Sequence, residues 1–282
     1  MSRVYLAFLP IVFLVSEQPA KVGRLEHPTI REASGMVKSR RHPGIFWVLN
    51  DSGNAPKLFA VRADGSLARE FVVEALNIDW ESIANDDAGR LYIGDIGDND
   101  GRLPLRAIHR LAEPDPNQPS FGALKIDRST YYRLPKADRF DAEALVIDGE
   151  KALIVAKRFD GRATDVFELK LEPTTIFAPG VPRRATSLVE FNEPATGADL
   201  SRDGKLLAVC SYRVARVYRR ARANEWQLIE TDRFDELGRR LIEAIAWDGD
   251  DLILAGENRD VFRITRKPPA ADVSRAGRAG AP

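Results

Sequence analysis

Sulfur and imidazole are scarce in this chain of 282 residues, which has one cysteine, two methionines and three histidines. A single cysteine excludes a disulfide framework. Cys210 lies in the apolar run Leu206 to Cys210 and reads as a small buried hydrophobe rather than a thiol nucleophile. No Cys-x-x-Cys, His-Glu-x-x-His or Gly-x-Ser-x-Gly occurs, which removes the common zinc and serine-hydrolase signatures. His27 and His42 fall in connections and His109 in a packing slot, so neither Ser/His/Asp nor zinc–histidine chemistry is expected. An excess of one charge is also missing. Lys and Arg number 42, Asp and Glu 42, and the basic residues are spread along the chain, so no nucleic-acid partner is expected.

Long hydrophobic runs are absent too. The longest, Val4 to Val15, has 12 residues, against the about 20 that span a bilayer as a helix. Arg3 precedes it and the polar stretch Ser16 to Ala20 follows. Residues 1–20 therefore read as a secretory signal, with a retained anchor as the alternative; Gln18 departs from the small residue preferred before a cleavage site. The expected product is an exported protein, periplasmic or secreted, monomeric and without a membrane span once the signal is removed. Residues 267–282 are rich in Pro, Ala, Gly and Arg without periodicity and read as a disordered tail. The stretch between, 21–266, belongs to a chain that is 44% hydrophobic and 30% charged, a composition that suits one large soluble domain.

What is present is a repeat. Fourteen residues separate Glu81 from Asp95, Glu143 from Lys157, Ala198 from Tyr212 and Glu243 from Glu257, and each pair brackets two apolar stretches joined by a polar turn. An Asp falls five residues into each segment (Asp86, Asp148, Asp203, Asp248). A third stretch follows with a central aromatic (Phe59, Phe167, Tyr218, Phe262), where His109 takes the slot in the second unit, and then a fourth β-rich stretch. Four alternating strands with Asp-Gly turns, recurring in tandem, describe an all-β propeller of four-stranded antiparallel blades. Openings at residues 32, 81, 143, 198 and 243 give five blades; six, the alternative, would need a blade with no trace in the sequence. The first unit, counted from Glu32, carries a five-residue insertion. The last unit stops after its third strand, near Thr265, and Val22 to Glu26 can supply the missing one. That closure would join the two chain ends and remove an exposed edge.

Inner strands line the central channel of a propeller, so Glu32, Glu81, Glu143 and Glu243 are expected at similar depth around it. Asp51, Asp95, Lys157, Tyr212 and Glu257 end the second strands near the same face, and Asp79 and Asp98 flank the set. Carboxylates crowded this closely cannot all ionise unpaired. Three resolutions stay open. A hard divalent cation can be held by Glu32, Asp51, Glu81, Asp98, Glu143 and Glu243 with amides and water. Two acids can share a proton. Or each acid can pair structurally, with Lys157, Arg106 and Arg158 as the available cations. The loops Asn50 to Asn54 and Gly94 to Gly101 depart from the repeat, and Asn50, Asn99 and Lys157 are candidate substrate contacts; as turn formers, the same residues also have a plain structural reading. Trp47, Trp80 and Trp247 read as core between blades rather than sugar platforms.

The segments Asp79-Trp-Glu-Ser-Ile-Ala84 and Tyr92-Ile-Gly-Asp-Ile-Gly-Asp-Asn99, with Asn50-Asp-Ser-Gly53, Ala142-Glu-Ala-Leu145 and Glu243-Ala-Ile-Ala246, resemble a group of exported bacterial propeller proteins of uncharacterised function. More distantly the chain is similar to phytase-like, esterase-like and lactonase propellers. That resemblance implies a divalent cation, Ca²⁺ first, held by acidic and amide side chains at the channel mouth, although the fourth blade lacks the Glu. With a cation in place, the expected activity is hydrolysis of an ester, lactone or phosphoester with Glu81 or Asp95 as general base. A non-catalytic propeller binding a protein or glycan of the envelope is the alternative, and a glycosidase using two carboxyls is a third reading.

Overall fold

The computed structural model describes residues 19–119, 122–135, 140–234 and 242–266. Most of the stretch read as a signal, up to residue 18, and the stretch from 267 read as a tail lie outside the described residues. Strand β1 (Ala20–Arg24) precedes five units of strands. The first blade holds β2 (Ala33–Lys38), β3 (Ile45–Asn50), β4 (Lys57–Arg62) and β5 (Leu67–Val72). The second holds β6 (Trp80–Asn85), β7 (Arg90–Asp95), β8 (Arg106–Ala112) and β9 (Arg128–Tyr132). The third holds β10 (Asp141–Asp148), β11 (Lys151–Lys157), β12 (Thr164–Lys170) and β13 (Arg183–Leu188). The fourth holds β14 (Gly197–Leu200), β15 (Leu206–Ser211), β16 (Val214–Arg222) and β17 (Glu225–Arg233). The fifth holds β18 (Ile242–Asp248), β19 (Asp251–Gly256) and β20 (Asp260–Ile264). All sheets are antiparallel and four-stranded, and the fifth is completed in the order β18-β19-β20-β1.

The inner strands touch in a closed circuit, β2 to β6 to β10 to β14 to β18 and back to β2, which makes a five-bladed propeller. The closing strand comes from the N-terminal stretch, shifted two residues toward the chain start from Val22–Glu26. At Gly23 it passes so close to the first blade that an added Cβ would lie 1.8 Å from the Asp64 carbonyl oxygen, a space only glycine fits.

Strand alternation explains the core. In β3, Phe46 and Val48 pack with Ala246 and Ile253 of the fifth blade, whereas Trp47 and Leu49 pack with Ile83 and Leu91 of the second. Successive residues of a strand point to opposite faces, and here both faces are covered, so the strands read as nearly continuous apolar runs. Five such clusters fill the five junctions between blades. Trp47 and Trp80 are fully buried and Trp247 nearly so, and Cys210 is buried, its thiol pushed up to about 12 by burial.

The repeated turn aspartates serve the hairpins and the seams between blades. Asp86 accepts from the backbone N–H of Ala88 and Arg90. Asp148 receives Arg220 of the fourth blade at 2.9 Å, and Asp248 pairs with Lys38 of the first. No helix of the described residues is long and apolar enough to cross a membrane.

Candidate metal centre

The acids at the channel mouth are placed by a β-bulge. In the second blade Trp80 pairs with Asp95 and Ser82 with Gly94, so Glu81 is the extra residue. Glu143 and Glu243 hold the same place in their blades. A bulge bends the strand and re-aims a side chain that alternation would have sent into the core. In the first blade the bulged residue is Ser34, whose hydroxyl donates to the Trp80 carbonyl at 3.0 Å. Glu32 therefore corresponds to Asp79 and Asp141, two residues before the bulge, and not to Glu81. The inner hairpin of the fourth blade, β14 with β15, has no bulge.

Pairing also separates Asp95 from the residues that fourteen-residue spacing aligns with it. Asp95 faces the residue just before the bulge, as Asn50, Ala156 and Gly256 do in their blades. One place further along stand Asp51, Lys157 and Glu257. The turn between β6 and β7 is longer than the two-residue turns of the third and fifth blades, and a slip of one residue moves a side chain to the other face. Asp95 accordingly accepts the Asp79 N–H on Oδ1 at 2.7 Å, and its Oδ2 lies 3.9 Å from His109 Nε2.

Three carboxyls converge. Asp51, Asp79 and Glu81 each offer an oxygen within 4.8 Å of the other two. Glu81 is buried, and its Oε1 has no hydrogen-bond partner. Burial, then the charges of Asp51, Asp79 and Asp141, push the Glu81 carboxyl up to about 10. Asp79 rises to about 6, through burial first and then Asp51, with Asp141 and Asp95 adding to it. Asp51 is raised by burial, partly offset by hydrogen bonds from Ser52. The loop after β7 closes over this group: a Cβ on Gly97 would stand 2.5 Å from Asp79 Oδ2 and 2.7 Å from Glu81 Oε1.

The other candidates are engaged elsewhere. Glu143 pairs with Lys157, whose Nζ also lies 3.7 Å from Asp141 Oδ2. Glu243 is raised to about 8 by burial and by Glu257 beside it, and the same two acids, after burial, hold Tyr212 near 12. Asp98 accepts the N–H groups of Arg102 and Leu103 and lies 3.2 Å from Arg106 Nη2. Arg158 serves Asp165. Glu32, exposed, accepts from Asn54 at 3.0 Å. The Asn50 amide is spent on Arg31 N–H and the Thr29 carbonyl, and Asn99 is exposed in the loop. Asp141 and Gly97 were not singled out from sequence; the −2 position before the bulge that Asp79 and Asp141 share is the signal that finds the first.

The donor set fits a hard cation. It is all carboxylate oxygen, without sulfur or imidazole, and one oxygen is buried without a partner. A buried carboxyl in that condition needs either a proton or a positive charge.

No family model matches this sequence, and no curated protein sequence is similar to it. Among solved structures the chain is similar to the glutaminyl cyclase of Myxococcus xanthus, at 12% identity over 89% of this chain and 94% of that one, with a TM-score of 0.54. It also matches virginiamycin B lyase from Staphylococcus aureus at 13% identity, over 86% of this chain and 69% of that one, with a TM-score of 0.43. What the cyclase shares with this chain is the propeller fold.

Proposed function

We propose that Asp51, Asp79 and Glu81 bind a hard divalent cation, Ca²⁺ first, at the channel mouth of an exported propeller that hydrolyses esters, lactones or phosphoesters. The observation that carries this reading is the partnerless, buried Glu81 Oε1 inside a three-carboxyl cluster, while the nearby Lys157 is committed to Glu143 and Asp141. A cation there would polarise a carbonyl or phosphoryl oxygen and lower the pKa of a bound water. In this assignment Glu81 is a ligand rather than a free base, and Glu143, Glu243, Asp98 and Glu32 stand outside the cation's shell. The distant likeness to phytase-like and lactonase propellers supports the reaction class, and the apolar run before Ser16 supports export.

Titration calorimetry with CaCl₂, MgCl₂ and MnCl₂ on chelator-stripped protein tests the cation. Binding of one equivalent is expected, lost in Glu81→Gln. At a hundredfold excess over Kd it should stabilise the fold by about 2.7 kcal/mol. No heat of binding and an unchanged melting temperature in EDTA would remove the proposal. A panel of p-nitrophenyl esters, lactones and phosphates then tests turnover.

One observation favours a second reading, a non-catalytic face for a protein or glycan. Phe159 is 72% exposed, and its ring lies 5.7 Å from Lys157 Nζ at the same mouth. Cation binding without turnover of any panel member supports it.

A further inference from the structure

The second blade departs from the others on one face. Asp95 pairs with Ala107, Ala107 with Tyr131, and His109 with Ser129, so these side chains share the face turned toward the first blade. His109 stands where Phe59, Phe167 and Phe262 pack in their blades, and Ser129 stands opposite it, where Glu70 and Arg184 lie across from Phe59 and Phe167. Ser129 Oγ is 2.8 Å from His109 Nδ1, and Asp95 Oδ2 is 3.9 Å from the other ring nitrogen. The sequence spacing, which puts His109 in a packing slot, gives no hint of this line.

The line ends in a cleft of about 250 Å³ with apolar walls from Leu76, Ile78, Leu103, Leu105 and Ile126. Leu76 and Ile78, 75% and 55% exposed, form its rim on the connection between β5 and β6. That connection is held in place: Asn77 donates to the Asp51 carbonyl at 2.8 Å and accepts Trp80 N–H at 3.0 Å, and Trp80 Nε1 donates to the Leu76 carbonyl at 2.9 Å. Asp95, His109 and Ser129 stand at its polar end; Arg106 borders it too, but its guanidinium turns to the opposite face of the blade, to Asp98 and the Phe140 carbonyl. The cleft is thus preformed, apolar at its wall and polar at one end, as small-molecule sites are.

We propose that this cleft is a second, metal-independent site that hydrolyses small esters with an apolar acyl chain, with Ser129 as nucleophile and His109 as its base. The carboxylate beside Nε2 favours the tautomer with its proton there, which leaves the Nδ1 lone pair directed at Ser129 Oγ. The usual serine-hydrolase triad uses the two ring nitrogens in the opposite order; the proton accounting is the same. Ser129 Oγ bonds to the ester carbonyl carbon as its proton passes to His109 Nδ1. The ester C–O bond then breaks, and the departing alkoxide takes that proton. Water next attacks the acyl–serine, giving a proton to His109. The acyl–Oγ bond breaks, Ser129 recovers a proton, and the carboxylic acid leaves. Water is the only co-reactant.

The test is covalent labelling of the full chain in EDTA with a fluorophosphonate, read by peptide mass mapping, beside p-nitrophenyl butyrate hydrolysis in the same buffer. We expect one adduct, on Ser129, lost when the protein is unfolded in urea before labelling. Ser129→Ala should abolish it, and His109→Gln should slow both labelling and turnover by about a hundredfold or more, the range of a general base. The wild-type map stands even where a variant fails to fold. No adduct on folded protein, an adduct at another residue, or a labelling rate unchanged in folded His109→Gln would overturn the assignment. Because EDTA is present throughout, the result is independent of the cation proposed at Glu81, which calorimetry reads separately.

Discussion

The second and third blades carry the same acid on the same bulge and treat it in opposite ways. Glu143 meets Lys157 from its own blade, and both side chains are almost fully buried, 7% and 6% exposed. In the second blade the residue at Lys157's place is the apolar Ile96, and Glu81 is left among Asp51 and Asp79 with one oxygen unpartnered. The repeat thus supplies a position, and the residue across the hairpin decides its ionic state. A structural ion pair and a candidate cation site are two outcomes of one scaffold. The comparison also shows why a ring of acids need not act as a ring: one is neutralised, one is paired with another acid, and one keeps an oxygen without a hydrogen-bond partner.

The comparison breaks most visibly at Lys157. In Lys157→Met the third blade would hold Glu143 and Asp141 without their cation, as the second holds its acids. Removing one partner of a buried pair costs about 3–5 kcal/mol, and urea denaturation at pH 7.5 should show a loss of that order. The deficit should shrink at pH 4.5, where the stranded carboxyls take protons. A wild-type midpoint would mean that the pair contributes nothing net. A smaller effect is expected at Gly97. The new Cβ in Gly97→Ala would press on Asp79 Oδ2 and Glu81 Oε1, both ends of side chains that can move aside, so the fold should survive. The cluster geometry should not: Ca²⁺ affinity is expected to fall at least tenfold, about 1.4 kcal/mol, with the denaturation midpoint of the cation-free protein nearly unchanged.

Blade number and closure were legible because each unit repeats the same turn chemistry and because the last unit visibly lacks a strand. The acids were legible as a set but not in register. A bulge adds one residue without altering composition, so Glu32 looks like the first member of the series when Ser34 holds that place. A longer turn likewise hides the slip that points Asp95 away from the mouth. Which acid is paired depends on where Lys157 reaches, and that distance is set by the hairpin rather than by spacing along the chain. His109 shows the same limit. The repeat assigned its strand position correctly, but its neighbour Ser129 comes from a strand 20 residues away.

The finest test of the contrast is the pH slope of stability, expected to be at most about 1.4 kcal/mol per pH unit for each carboxyl. Asp79, Glu81 and Glu243 have folded-state values of about 6, 10 and 8, against 3.8, 4.5 and 4.5 for the free groups. Between its free and folded values each group holds a proton in the folded chain that the unfolded chain has released. Unfolding then releases protons, so stability falls as pH rises. In EDTA the loss should begin near pH 4, end for Asp79 near 6 and for Glu243 near 8, and continue for Glu81 toward 10. Asp86, Glu168 and Asp248, all lowered through their Arg or Lys partners despite opposing burial, work in the other direction. Their contribution is complete above the free-carboxyl range and is lost only on acidification, which places the optimum of the cation-free protein within that range, at about pH 4. Bound as proposed, saturating Ca²⁺ would displace the protons of Asp79 and Glu81, so between pH 8 and 9.5 the melting temperature should fall in EDTA and stay level with the cation. Parallel slopes in the two buffers would mean that the proton on Glu81 and the cation do not compete for one site.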